Sequence, residues 1–292
     1  MKKILSLILC SVVLLFASCT KEASKEQDQP TPPDTTGNNG GNAKLLTRIV
    51  DYELDYPGDS TITDFYYNER NKLIRTKDHF ITFRTNLGYE DNEYIIYRDA
   101  NDIVKRVAIM ASHYEWSVFT KKDSTIYDVV YDPVSKHYKY AIWTANFEYA
   151  NPPYDDFIRD SIVYTYNSNN QIVLWQSFRK DKNTNVLFEA ERREYDFDAK
   201  GNMIKVRYNE NYDNQGDPLS EDIIEYDDKI NPRNFGMEGF LFGVYSFSWP
   251  TPNNPVKSED GELHYTYDKD NYPVLGESAS PDGGYKTFFY YK

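Results

Sequence analysis

The chain has 292 residues, and its 46 acidic against 33 basic side chains give a net charge of −13, or −15 without Lys2 and Lys3. Nucleic acid and anionic lipid surfaces both demand a basic patch, so neither suits so acidic a body as a partner. The two cysteines, Cys10 and Cys19, both lie near the N-terminus, which leaves the remainder without disulfides or thiolate metal sites.

Residues 1–18 begin with Lys2 and Lys3, continue through an apolar run from Ile4 to Phe16, and end in Ala17 and Ser18 before Cys19. The run is shorter than the about 20 residues that span a bilayer, so it reads as a cleavable export signal, not a membrane helix. Phe16-Ala17-Ser18-Cys19 has the form of a lipobox. The expectation is cleavage before Cys19, acylation of that cysteine, and residence in the cell envelope on a lipid anchor in the outer membrane, facing inward or outward; an ordinary secretory signal is the alternative. Residues 19–44 then form a polar stretch with Pro30-Thr31-Pro32-Pro33 and Gly37-Asn38-Asn39-Gly40-Gly41. Without large apolar side chains from Thr20 to Ala43, this segment reads as a disordered tether.

Residues 45–292 read as a single domain. The 27 tyrosines and 16 phenylalanines of the chain favour the pleated, half-buried surface of a sheet. One pattern recurs: aromatic, any, aromatic, polar, two residues, Asn or Gly, any, apolar. It reads Phe65-Tyr66-Tyr67-Asn68-Glu69-Arg70-Asn71-Lys72-Leu73, and returns at Tyr164–Ile172, Tyr195–Met203 and Tyr265–Pro273. A weaker copy runs from Ile95 to Ile103, aligned on Tyr97, and Val129-Val130-Tyr131-Asp132-Pro133 starts alike and then departs. Alternation before the polar residue marks a strand, and a type I turn closed by a left-handed residue returns the chain as a hairpin. The aligned residues Tyr67, Tyr97, Tyr131, Tyr166, Phe197 and Tyr267 lie 30, 34, 35, 31 and 70 apart, the last gap being two periods. Seven such hairpins predict an all-β, antiparallel up-and-down meander of about 14 strands, closed or strongly curved into a barrel-like sheet.

The lipobox and tether, the repeated Tyr-Asp/Asn hairpins, Tyr226-Asp227-Asp228-Lys229-Ile230-Asn231-Pro232 and the aromatic strand from Tyr285 to Tyr291 together resemble a family of secreted Bacteroides-type lipoproteins. That family is a domain of unknown function with a porin-like fold. The resemblance implies a β-barrel over Leu45–Lys292 and supplies no catalytic residues. Lipid-facing strands are not expected, because Arg75, Lys77 and Asp78 charge both faces of one strand, and Lys105 and Arg106 both faces of another.

No enzyme is read from the motifs. His79, His113, His137 and His264 share no metal-ligand spacing, and in Asp196–Gly201 the lysine at Lys200 spoils a calcium loop. No nucleophile elbow, phosphate loop or HExxH is present, and neither cofactor nor metal is expected. Asp59-Ser60-Thr61, Asp123-Ser124-Thr125, Asp160-Ser161 and Asp34-Thr35 look like O-glycosylation acceptors, or simply turns opening strands. The functional lead is Trp116, Trp143, Trp175 and Trp249, whose flat faces either fill the core or stack on a ligand, a glycan being one that such platforms suit. Trp249 stands in Ser248-Trp249-Pro250-Thr251-Pro252, a loop-like stretch where binding residues concentrate. The expectation is a non-catalytic envelope lipoprotein that binds an extracytoplasmic ligand; the alternative is a structural lipoprotein docking on an outer-membrane partner.

Overall fold

The computed structural model describes residues 44–82, 89–115, 118–145, 157–209, 219–242, 248–259, 261–280 and 283–292. The signal segment, Cys19, the tether up to residue 43 and Trp116 lie outside the described residues.

Alternating apolar and polar residues form β1 (Leu46–Glu53), β2 (Ser60–Tyr67), β3 (Leu73–Ile81), β4 (Tyr89–Arg98), β5 (Val104–Glu115) and β6 (Val118–Asp132). They continue as β7 (His137–Ala145), β8 (Phe157–Tyr166), β9 (Ile172–Asp181), β10 (Leu187–Phe197), β11 (Met203–Asn209) and β12 (Ser220–Ile223). The last are β13 (Glu225–Ile230), β14 (Asn253–Ser258), β15 (Gly261–Tyr267), β16 (Pro273–Ser280) and β17 (Gly283–Tyr291). Apart from β12 and β13, each strand pairs antiparallel with its sequence neighbours, and β1 pairs with β17 as well as β2, so the meander curls into a barrel. Among the described residues no ladder joins β12 to β13, which only Ile224 separates; this is the unsealed seam.

Among the described residues there are 17 strands where about 14 were expected, and the seven hairpins are there. The surplus comes from β1 and β17, which close the ring, and from the interruption that splits β12 from β13. The sixth hairpin, within the double gap, replaces its tight turn by the segment 231–252, which carries a 3-10 turn at Gly236–Leu241.

The tight turns share one construction and one end of the barrel. Asn68 Oδ1 accepts the N–H groups of Arg70 and Lys72, and Asn71 takes a φ of 59°. Asp99, Asn167, Asp198 and Asp268 repeat this, with Asp102, Asn170, Gly201 and Asn271 in the left-handed region. A side-chain acceptor thus holds the turn, and Asn, Asp or Gly absorbs the positive φ. The stretch Asp196–Gly201, where Lys200 spoils a calcium loop, is one of these turns.

The weaker copy is out of step by one residue. Asp99, not Arg98, is the turn acceptor, so Tyr97 points outward at 49% exposure and Arg98 points in. In other strands a tyrosine at this end bonds a carbonyl at the start of the preceding strand: Tyr67 to Leu46, Tyr166 to Tyr138, Tyr291 to Pro273. Arg98 makes the same bond through Nε to the Leu73 carbonyl at 3.0 Å. Its remaining nitrogens clamp the Glu238 carboxylate at 2.8 and 2.6 Å, and Tyr138 donates to the same carboxylate.

Glu238 belongs to residues 231–242, the described first part of this segment, which therefore enters the barrel from the tight-turn end as a plug. Phe235 stacks on Phe65, Phe240 meets Tyr195 edge-on, and the Tyr127 hydroxyl donates to the Leu241 carbonyl. Burying these rings supplies the core that a hollow barrel of this width would lack. The motif Tyr226–Pro232 braces the plug's stem. Asn231 is buried and donates to the carbonyls of Trp249 and Thr251, while Asp227 accepts from the Asn254 N–H and the Tyr267 hydroxyl.

The outer wall is laid with opposite charges in cross-strand register. Arg48, Asp64, Lys77 and Glu93 succeed one another across β1 to β4, and Glu194, Arg207 and Glu221 across β10 to β12. Arg48–Asp64 and Arg106–Asp128 close to 2.6 Å, as does Arg207 with Asp196.

Candidate functional site

One cavity of about 220 Å³ lies inside the barrel wall formed by β4 to β10, floored by Phe240 and Phe242 of the plug. Two of the four tryptophans singled out in the sequence, Trp143 on β7 and Trp175 on β9, line it together. Trp143 packs edge-on against Tyr127, and its indole N–H is buried without an acceptor among the described residues. Trp249 is placed elsewhere. It is half-buried against the core, its indole N–H donating to the Tyr226 hydroxyl at 3.2 Å and its carbonyl held by Asn231.

Three arginines converge on the same cavity. The Arg159 guanidinium lies 5.1 Å from the Trp143 ring centroid, Arg193 lies 5.5 Å from that of Trp175, and Arg179 completes the set. Glu191 is the acidic member of the lining, 4.0 Å from Arg193. The ladder fixes this arrangement: Arg159 stands directly opposite Arg179, Trp175 opposite Arg193, and Ser177 opposite Glu191. Arg159 is exposed near the start of β8, and Arg179 sits near the end of β9, both at the barrel end away from the tight turns. The floor is formed by the buried rings of Tyr127, Tyr195, Phe240 and Phe242. The site is thus apolar below and cationic at its rim.

None of these arginines was legible from the sequence. Bulges at Arg159/Ser161 and at Glu189/Glu191 shift the strand phase by one, so simple alternation does not tell which charged residues point inward.

A second cavity, of about 280 Å³, lies against β1, β2 and β15 to β17 and includes Asp51, Glu53, Arg233, Tyr265 and Thr287. Burial raises the Asp51 carboxyl above its ordinary value, with Thr287 donating to it and Arg233 opposing the rise. Burial likewise lifts Asp78 to about 6, against the Thr63 hydroxyl that favours its charged form.

The histidines stand outside both linings. His79 pairs with Asp91 at 2.9 Å and His113 with Glu90 at 2.7 Å, while His137 stacks on Tyr166 at 3.9 Å. Among the described residues no group of three or more His, Cys, Asp or Glu is arranged to hold a metal ion. Of the serines and threonines that follow Asp, Ser60 and Thr125 are buried in the sheet.

No protein-family model and no curated protein matches the chain. Among solved structures, a porin-like protein from Bacteroides uniformis ATCC 8492 aligns over 85% of this chain and 96% of its own length, at 11% identity and a TM-score of 0.40.

Proposed function

We propose that this barrel is a non-catalytic, lipid-anchored envelope protein that binds a small extracytoplasmic ligand in the cavity of Trp143 and Trp175. The observation that carries this reading is the convergence of those two tryptophans, on separate strands, on one cavity with a polar rim and an aromatic floor. Binding sites are typically concave and largely apolar with a few placed polar groups, and this one has that composition. At about 220 Å³ it suits a single ring; drug-sized sites run to roughly 300–1,000 Å³.

The position of the first described residues of the barrel bears on the anchored reading. Leu45 pairs with Lys292 at the tight-turn end, so a tether from Cys19 would hold that end toward the membrane and turn the cavity rim away from it. Replacing Cys19 by Ser is expected to move the protein from the detergent-extracted to the soluble envelope fraction; unchanged fractionation argues against the anchor.

A thermal-shift screen of residues 44–292 against neutral and charged single-ring compounds tests the binding reading. Hits are expected to raise the melting temperature of the wild type and not that of a Trp143→Leu, Trp175→Leu double variant. Hits that survive in the double variant, or a screen without hits, would overturn it.

A further inference from the structure

A single row of facing residues crosses five strands and lines the second cavity: Tyr265 on β15, Gly276 on β16, Thr287 on β17, Asp51 on β1 and Thr61 on β2. On β4, β7, β9 and β10 the residues lining the first cavity include the rings of Tyr94, Trp143, Trp175 and Tyr195. The row from β15 to β2 carries one ring, and otherwise a glycine, two threonines and a carboxyl. These residues bury little apolar surface, and a glycine inside a strand weakens it. Close approach of a ligand to the backbone is one setting in which a strand keeps such a glycine. Gly276 opens this cavity directly. A Cβ there would lie 3.1 and 3.3 Å from two ring carbons of Tyr265, so the ring rests against bare backbone that a side chain would occupy.

The lining mixes donors with acceptors. Thr287 donates to the Asp51 carboxyl, and Arg233 reaches in from the plug, where it attracts both Asp51 and the Tyr265 hydroxyl. Glu53, two residues beyond Asp51 on β1, is exposed at the mouth. Asp51 and Glu53 disfavour an anion and Arg233 disfavours a cation, whereas a neutral ligand meets neither repulsion. The hydroxyls of Thr61, Thr287 and Tyr265 can each donate or accept. Leu263 and Phe289 add apolar surface, the Phe289 ring lying 6.3 Å from that of Tyr265. A hydroxylated ring has the matching character, with donor-acceptor groups around its edge and C–H groups on its face.

We propose that the second cavity binds a neutral polyhydroxylated ring, a sugar or cyclitol, with its hydroxyls on Asp51, Arg233 and Thr61 and its C–H face on Tyr265. The site is separate from the cavity of Trp143 and Trp175, with which its lining shares no residue. The proposal therefore stands or falls independently of the binding reading above.

Calorimetric titration of residues 44–292 with D-glucose, D-galactose, D-mannose, D-xylose and myo-inositol tests it, with cyclohexanol, D-glucuronate and D-glucosamine as controls. At least one of the five is expected to bind about tenfold or more tightly than cyclohexanol. Gly276→Val fills the space against which Tyr265 rests, and Asp51→Leu replaces the carboxyl by an apolar group of similar size. Each is expected to weaken binding about tenfold or more, while the Trp143→Leu, Trp175→Leu double variant binds as the wild type does. Circular dichroism and melting curves show which variants fold; should Gly276→Val not fold, Asp51→Leu decides. Binding that survives in the folded cavity variants, or is lost in the tryptophan double variant alone, belongs to the first cavity and overturns the proposal. Cyclohexanol binding as tightly overturns the role of the hydroxyls, and a charged sugar binding about tenfold more tightly than the neutral ones overturns neutrality. If none of the five binds, the second cavity is not such a site, whatever the single-ring screen finds in the first.

Discussion

Where the other tight-turn hairpins place an aromatic residue, the second hairpin places Arg98, and the substitution ties the plug to the wall. Arg98 is 4% exposed and Glu238 16%, so both charges have left bulk water and are held by their mutual contact and by the carbonyls of Leu73 and Asp102. Removing one partner of such a pair strands the other. Arg98→Met is expected to destabilise the fold by about 3–5 kcal/mol in urea unfolding, and a further Glu238→Gln to recover most of it. Aligning the repeat on Tyr97 hid this residue, because an aromatic there satisfies the pattern although it points outward. The turn chemistry was the better guide: an acceptor three residues before a left-handed residue fits Asp99 and Asp102, and so moves the register by one. Asp78 offers a pH test at the same scale. Its carboxyl is lifted to about 6 by burial, so the folded chain holds the proton more tightly than the unfolded one. Its contribution to stability is therefore complete below pH about 4, is lost as pH rises toward 6, and stays lost above. Asp78→Asn is expected to be more stable than wild type by about 2–3 kcal/mol at pH 7.5, with the advantage gone at pH 4. A difference in urea midpoint that is the same at both pH values would remove burial of the charge as its cause.

The hairpin is the element that the sequence announces, and it does so because its turn needs particular side chains. Asx acceptors and left-handed Asn or Gly are local requirements, so they appear in the chain at fixed spacing whatever the distant packing. One turn breaks the rule: Lys136 adopts a φ of 58° without the local hydrogen bonding that eases Asn into that region. The left-handed conformation costs an ordinary residue roughly 1–2 kcal/mol. Exposed and free of packing, Lys136 is a site where Gly is expected to raise stability by about 0.5–1 kcal/mol, read as a shift of the unfolding midpoint at constant slope. The reverse holds at Asn71, where Ala loses the residue suited to positive φ and is expected to lower stability by about 1 kcal/mol. The plug gave no comparable signal. Phe235, Phe240, Leu241 and Phe242 are as apolar as a strand, and what makes them a plug is contact with residues far away, such as Phe65, Tyr127 and Tyr195. The same holds for the candidate site, of which the sequence showed Trp143 and Trp175 but not the arginines that bulges turn inward.

At the scale of the whole molecule, the barrel inverts the polarity of a membrane pore. A pore keeps its outside apolar and its lumen wet, whereas here rings fill the lumen and charges line the wall. The rows Arg48–Asp64–Lys77–Glu93 and Glu194–Arg207–Glu221 set each charge beside its opposite on neighbouring strands, an arrangement that gains from cross-strand attraction in water. In hydrocarbon each outward Arg or Lys near the midplane would cost about 2–4 kcal/mol, and the two rows hold three such residues before the other ion pairs are considered. Among the described residues the nearly closed hydrogen-bonding ring leaves the β12–β13 seam as its edge, so the wall offers little template for strand addition. Residues 44–292 are therefore expected to purify without detergent and to elute as one species in size-exclusion chromatography at physiological salt. Added detergent micelles should leave both the elution volume and the unfolding midpoint unchanged. If the protein instead aggregates in buffer and becomes monodisperse only in micelles, the charged rows do not face water in the working state, and the reading of the wall fails.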